Sequence, residues 1–413
     1  MARLSLTRHV SVAALALGLA FALPAVAGAA DQQLPPKDLN SVPPVRTDYP
    51  VKKTAWGVPD FRSTWTIEHI PEARILFQRP KAWGNRVWLT KEEHDKRLAN
   101  AEHSDSAYAD EGAGFSTPGT EGLVEFVKND PMAWRTSMLI DPPDGQVPPL
   151  TPAAEALYKA GRSDWVPKQE FDWVDDFDSW DRCVSRGFPA SMFPFRYNNG
   201  LRIFQSPGYV VIHLEMLGTR VIPIGDSPQW NGRVEAWMGQ SRGHWEGNTL
   251  VIETTNIKSG NSANPDHTKR AAAALNEATQ NVPLLNTMPM SPRAKTVERI
   301  TQTGPDTITY QITFSDPEVL TAPWTARLDW TRNNKYYMPE YACHEGDVQV
   351  RNYITASRVK RQQIAEGKLK AGQPDGRETF AQQFDFDPVA PGGMPRRGPP
   401  PPPKKDSEDS GSK

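Results

Sequence analysis

From about residue 200 the chain alternates apolar and polar positions with a period of two, the pattern of strands that bury one face. LRIFQS (201–206), YVVIHLEML (209–217) and TRVIPI (219–224) follow one another through a Ser-Pro-Gly turn and Gly218. RVEAW (233–237) is a further candidate. HWEGNTLVIETT (244–255) reads as a hairpin on its Gly-Asn turn. AKTVERITQTGPDTITYQITFS (294–315) reads as a second hairpin about Gly304-Pro305-Asp306. WTARLDWT (324–331) and VQVRNYITAS (348–357) complete the series. No strand is followed by the helix that a parallel crossover needs, so the pattern predicts an antiparallel meander. A meander of about eight strands must close or double over to protect its edges. The expected fold is mainly β: a lipocalin-like (calycin-type) barrel with short peripheral helices.

The preceding part is less regular. PDFRSTWTI (59–67) is the first strand candidate, entered through a Gly-Val-Pro-Asp turn. Thr90 and Glu93 have the spacing of a capping box, which predicts a charged surface helix over 90–103. Residues 105–130 are polar and irregular. Met138-Leu139-Ile140 reads as a short strand, Pro-Pro-Asp-Gly turns the chain, and Thr151-Pro152 starts a helix that Gly161 ends. Residues 256–292 interrupt the strands with a polar loop and a helix expected at 268–280. The resulting division is a signal peptide (1–30), an extended arm (31–58), a barrel body (59–357), a charged helix or coil (358–385) and a Pro-rich tail (386–413). Five consecutive prolines, 399–403, and the charged residues around them cannot build a core, so the tail is expected to be disordered or polyproline II.

Residues 1–30 change the address. Arg3, Arg8 and His9 precede an apolar run, Val10 to Val26, and Ala25-Val26-Ala27 and Ala27-Gly28-Ala29 offer the small residues of a cleavage site. The run is short for a membrane span, and no later stretch is long and apolar enough to cross a bilayer. The expectation is a periplasmic or secreted protein with no membrane insertion after signal removal. Cleavage moves the formal charge from −2 to about −4. That near-neutral balance argues against nucleic acid as a partner. In an oxidising compartment the two cysteines, Cys183 and Cys343, are expected to pair. The alternatives are a buried reduced pair, or Cys183 as a free nucleophile with His344 nearby. Thirteen tryptophans suggest a core or cavity built from large flat side chains.

Candidate chemistry lies in one strand and three short motifs. In YVVIHLEML, Val210, Ile212, Leu214 and Met216 make an apolar face, and Tyr209, Val211, His213 and Glu215 the other. An ordinary sheet puts that second face in water; a ligand-holding barrel points it inward. Thr325, Arg327 and Asp329, and Thr309, Gln311 and Thr313, pose the same choice. In DRCVSRGFP (181–189), Arg182 and Arg186 can clamp an anion or fix their own loop. In RGHWEGNTLV (242–251), His244 and Glu246 make a general base with its orienter, or a solvated hairpin. In PEYACHEGD (339–347), Glu340, His344 and Glu345 surround Cys343, in a spacing that matches no zinc pattern. A Cys183–Cys343 bridge would bring Arg182, Arg186, His344 and Glu345 together. Serine-hydrolase, dinucleotide, phosphate-loop and zinc-protease motifs are absent from the sequence.

At PDFRSTW, RTSMLIDPPDGQVPPLTPAA, DRCVSRGFP, SPGYVVIHLEML, SRGHWEGNTLVIETTN and EYACHEG the chain resembles a family of uncharacterised secreted bacterial proteins. The likeness covers roughly 55–357 and implies the secreted address and the paired motifs. The Trp-Glu-Gly-x-Thr-Leu hairpin is also similar to hairpins of lipocalin-like barrels. The functional expectation is a cofactor-independent lyase, isomerase or hydrolase acting by acid–base chemistry on a small apolar or aromatic molecule. Glu215, His213 and His244 would be catalytic, and Arg182, Arg186, Tyr209, Arg327 and His344 would hold the substrate, with no metal. The alternatives are a non-catalytic carrier of a small hydrophobic ligand and an envelope interaction protein.

Overall fold

The structure is a computed structural model and describes residues 35–73, 75–110, 122–160, 170–177, 182–195, 198–258 and 290–372. Ten strands form one sheet: β1 (Ser63–Thr66), β2 (Leu139–Asp141), β3 (Gly200–Ser206), β4 (Tyr209–Leu214), β5 (Thr219–Pro223), β6 (Gln240–Glu246), β7 (Thr249–Thr255), β8 (Lys295–Gln302), β9 (Thr307–Ser315) and β10 (Trp324–Arg332). Their order is β5-β4-β3-β1-β10-β9-β8-β7-β6, with β2 added beside β10. Every neighbouring pair on that path is antiparallel. The path therefore ends on two strands that point the same way. They meet in parallel, through the bridge Ile224–Gly243 and the 2.8 Å bond from the Gly225 N–H to the Gly243 carbonyl. The result is a nearly closed, lipocalin-like barrel.

The apolar register faces inward throughout. Leu201 and Ile203, Val210, Ile212 and Leu214, Leu250 and Ile252, and Ile308, Tyr310 and Ile312 are all buried. So are Trp65, Trp324, Leu328 and Trp330. Tyr310 stacks on Trp330 at 4.7 Å, and Phe314 on Trp324 at 5.3 Å. The lumen is thus filled by flat side chains rather than lined with polar ones. Two strands carry a charge in the inward register. Arg220 of β5 and Glu298 of β8, 2% and 0% exposed, form a fork of 2.8 and 2.5 Å bonds. The Tyr310 hydroxyl donates to Glu298 at 2.8 Å, and the Arg220 guanidinium also reaches Ser241 and Thr254. Burial acts to lower the Arg220 pKa, but the Glu298 carboxylate outweighs it and the net shift is upward. Burial, with Glu298 adding to it, pushes the Tyr310 phenol well above its ordinary range, so it remains a donor.

Segment 182–195 plugs the barrel end where β3, β5, β6, β8 and β10 begin. Phe188, Met192 and Phe193 are buried; the Arg220 guanidinium lies 4.5 Å over the Phe188 ring, and Phe193 meets Phe77 and Trp324. After β10 the chain returns as a strap over the outer face of β1, where Asn333 N–H donates to the Thr64 carbonyl. The disulfide Cys183–Cys343, with an S–S distance of 2.06 Å, joins strap to plug across 160 positions. Closing so long a loop is credited with about 5 kcal/mol at most in the chain-entropy model. The arm wraps the barrel: Pro43 accepts from Arg327 on β10, and Thr47 and Tyr49 accept from Asn248 at the β6–β7 turn.

The helices are α1 (His69–Glu72), α2 (Lys91–Asp110), α3 (Leu123–Asn129), α4 (Pro152–Ala160) and α5 (Gln349–Ala365). The capping box holds: Glu93 N–H donates to Thr90 Oγ1, and Thr90 N–H to Glu93 Oε2. Three expectations are corrected. Residues 348–357 belong to α5, because Val350, Tyr353, Ile354 and Ser357 share a helical face that packs on Phe171 and Phe177. Residues 233–237 form turns with one isolated parallel bridge, Ala236 to Ile257, and no strand; the nearby Asn231 and Val234 carbonyls accept from the Asn256 side chain. The stretch 105–130 contains α3, whose Leu123 and Val127 are buried at helical spacing. The signal segment, the expected helix at 268–280 and the Pro-rich tail lie outside the described residues.

A buried pair broken from one side leaves a stranded charge, which costs about 3–5 kcal/mol. Glu298→Ala should lose stability on that scale in urea unfolding. Adding Arg220→Met should recover most of the loss. If the double variant is no more stable than Glu298→Ala, the stranded guanidinium is not the source of the cost.

Candidate functional site

Strand pairing decides where the sequence-selected residues point. On β4, His213 pairs with Arg202 and Thr219, and Val211 with Phe204 and Val221, all on the outer face of the barrel. The face that might have lined a polar lumen is therefore the outer one. His213 is exposed and its Nδ1 lies 2.9 Å from Thr219 Oγ1. His244 is also exposed, 3.2 Å from Glu246, which accepts from Arg299 at 2.7 Å. The Arg299 hydrogen bond first, and His244 second, hold the Glu246 carboxyl below its usual range.

The arginines serve the fold. Arg186 is buried, donates to the Phe193 carbonyl and lies 4.7 Å over the Phe195 ring. Arg182 sits half-buried in the turn before Cys183. Arg327 is on the outer face of β10, bonded to Gln311 and to the Pro43 carbonyl under the arm. Burial lowers its pKa. Nearby, burial and then Asp329 push Asp130 up to about 7. The disulfide brings the first and third motifs together, but Arg186 turns into the plug while His344 and Glu345 remain exposed.

Glu215 alone of the proposed catalytic residues is buried, at 6% exposure. It continues the outer register of β4, since its N–H donates to the Gly200 carbonyl. The strap covers it. The Tyr336 hydroxyl lies 2.9 Å from Glu215 Oε2 and 3.4 Å from Glu68 Oε2. Gly200 N–H donates to Glu215, and Asn199 N–H to Glu68. Gly200 is required here: a Cβ would stand 2.6 Å from the Tyr336 ring and 2.8 Å from Glu215 Oε2. Burial pushes the Glu215 carboxyl up, against the Gly200 and Tyr336 hydrogen bonds. Burial, then Glu68 and Glu215, raise the Tyr336 phenol. Two carboxylates and a phenol thus meet on the outside of the barrel wall, a set able to exchange a proton. Glu68 and Tyr336 are not singled out by sequence, because the first follows a short strand and the second lies in a polar loop.

A second concavity lies at the opposite end of the barrel, at the seam between β5 and β6. It is a half-open slot of about 40 Å³ whose lining includes Trp56, Tyr209, Val210, Ile224 and Trp245, together with Gln205 and the Ser206–Gly208 turn. Tyr209 is 49% exposed, and Phe61 meets the edge of Trp245 at 5.3 Å. Trp56 comes from the arm, the part of the sequence with no periodic signal. The slot continues into an uncovered apolar row on β3 to β5, with Phe204 49% and Val221 59% exposed.

Among the described residues no group of three or more His, Cys, Asp and Glu could hold a metal, and no helix is long and apolar enough to cross a membrane. No family model, curated protein or solved structure matches this chain.

The raised Glu215 pKa has a definite sign in stability. A carboxyl that binds its proton more tightly in the folded state stabilises the fold at low pH, and loses that contribution as pH rises from about 4.5 through its folded pKa. Glu215→Gln should therefore gain on the wild type as pH rises across that window, read as the difference in melting temperature. A difference that does not change with pH would show that Glu215 titrates as it does in the unfolded chain.

Proposed function

We propose that this protein is a non-catalytic binding protein of an oxidising, extracytoplasmic compartment, and that it takes an apolar, ring-bearing group at the Trp56–Tyr209–Trp245 slot. One observation carries the reading: the histidines chosen for chemistry lie on the outer surface, while an apolar concavity at the β5–β6 seam is lined by three aromatic side chains, Trp56, Tyr209 and Trp245. Apolar lining with few polar groups is the usual composition of a small-ligand site. At about 40 Å³ the slot falls well short of the roughly 150 Å³ that encloses a benzene ring, so it would take the edge of one ring or a small alkyl group, with the rest of the ligand outside. The adjoining row of Phe204, Val211 and Val221 would carry the rest of the ligand. The disulfide and the signal-like N-terminus support the compartment.

A second reading, a cofactor-independent acid–base enzyme acting on a small apolar or aromatic molecule, is favoured by the Glu68–Tyr336–Glu215 cluster. Tyr336 holds one proton between two carboxylates, and burial favours the protonated form of Glu215. Catalysis there requires the strap to lift, since Glu215 is shielded from solvent. In that event Glu215 transfers the proton and Tyr336 positions it.

The two readings separate by variant. Losing a buried ring contact is worth about 1.5–3 kcal/mol, so Tyr209→Ala and Trp56→Ala should each weaken uptake of an apolar naphthalene dye by at least about tenfold. Glu215→Gln should leave dye affinity unchanged. A dye that binds equally well to both slot variants would remove the binding reading. Turnover of a metabolite, lost in Glu215→Gln, would install the enzyme instead.

A further inference from the structure

Resting on the slot as a binding site, we infer that its resident occupant is the chain's own proline run, Pro399–Pro403. Proline has no amide hydrogen and a fixed φ, so a run of prolines is extended at little entropic cost and presents a row of rings. Such runs are gripped by grooves walled with aromatic side chains, which is the make-up of the slot: Trp56, Tyr209 and Trp245. The Gln205 amide beside it is already bonded to the Phe61 N–H and the Pro59 carbonyl, so docked prolines meet apolar walls alone.

Reach and charge agree with this occupant. The described chain ends at Gly372, and the residues between it and Pro399 make a tether whose average span is about 28 Å and whose extended span is about 90 Å. Arg396, Arg397, Lys404 and Lys405 bracket the prolines. Of two exposed carboxylates on the β5–β6 side of the slot, Glu246 next to Trp245 is already paired with Arg299, which leaves Asp226, just beyond Ile224, to face the basic residues. Docked prolines would thus place basic side chains towards Asp226.

Tethering sets the effect. A short flexible link holds the prolines at an effective concentration near millimolar, so a segment of modest intrinsic affinity still occupies the slot most of the time. The tail then competes with any external apolar group.

The test uses the full mature chain and a full-length variant with Pro399–403 replaced by serine. A naphthalene dye should bind the serine variant about tenfold more tightly than the wild type. A peptide of residues 394–405, added in trans, should displace dye from the serine variant. Hydrogen exchange over 205–210 should be faster in the serine variant at every protein concentration. Equal dye affinities for wild type and serine variant overturn self-occupancy, whether or not the free peptide competes. Protection that appears only at high protein concentration also overturns it, by making the partner a second copy. If Tyr209→Ala leaves dye binding intact, the slot itself is not a site, and the underlying reading fails separately.

Discussion

A sheet of nine strands in which every neighbour is antiparallel can close only by pairing its two outermost strands in parallel. Here those strands, β5 and β6, are consecutive in the chain, and the excursion between them lets β6 return in the same direction as β5. Backbone closure is confined to Ile224, Gly225 and Gly243. Elsewhere the seam is held from inside by Arg220, which extends from β5 to Ser241 on β6, Thr254 on β7 and Glu298 on β8. One guanidinium thus ties four strands together in the lumen. Gly243 has its own part in this, since a Cβ there would stand 2.8 Å from Ile224. A buried ion pair is weak evidence for stability. Its value here is geometric, because it fixes which strands meet across the gap.

That interior ion pair also shows how far the sequence could be read. Period-two alternation located the hairpins β6–β7 and β8–β9 and the strands β3, β4, β5 and β10, because each buries one face against the lumen. It also placed Trp324, Ala326, Leu328 and Trp330 in one register, without deciding which face of the strand turns inward. Arg220 shares its register with Ile222 and Glu298 with Ile300, yet the alternation singled out neither charge. Neither announces a partner, because pairing across a barrel depends on closure, which has no local signal. Residues 348–357 misled for a different reason. VQVRNYITAS contains both a period of two and a period near 3.6, and only the contact with Phe171 and Phe177 selects the helix.

The candidate sites depended on a choice of face that alternation alone leaves open. Tyr209, His213 and Glu215 share a side of β4, and strand pairing puts that side outward. Outward does not mean exposed, however. Glu215 lies one residue beyond the end of β4 and is buried by a strap from more than 100 positions away in the chain, whose Tyr336 also reaches Glu68. His213, two residues earlier, is left uncovered. Burial on the outer face of a barrel is thus a property of the covering segment, here anchored by the one disulfide. The cysteine pair was legible from count and compartment; what it anchors over Glu215 was not.

The two ends of the barrel consequently differ in kind. At one end the plug and the strap are covalently joined, aromatic side chains fill the lumen, and Arg220, Glu298 and Tyr310 satisfy one another, while the buried indole N–H of Trp324 has no hydrogen-bond partner among the described residues. At the other, the arm contributes Trp56 to a slot whose walls are apolar and whose mouth remains open. A fold gains stability from covering apolar surface, so an aromatic slot continuous with an uncovered row of Phe204, Val211 and Val221 is surface that packing within the described residues leaves unsatisfied. On the proposed binding reading, a group entering at the second end displaces water from apolar walls without breaking an internal hydrogen bond or ion pair. The carboxylate cluster at the sealed end offers the converse: strong chemistry, reached only after the Tyr336 contacts are broken.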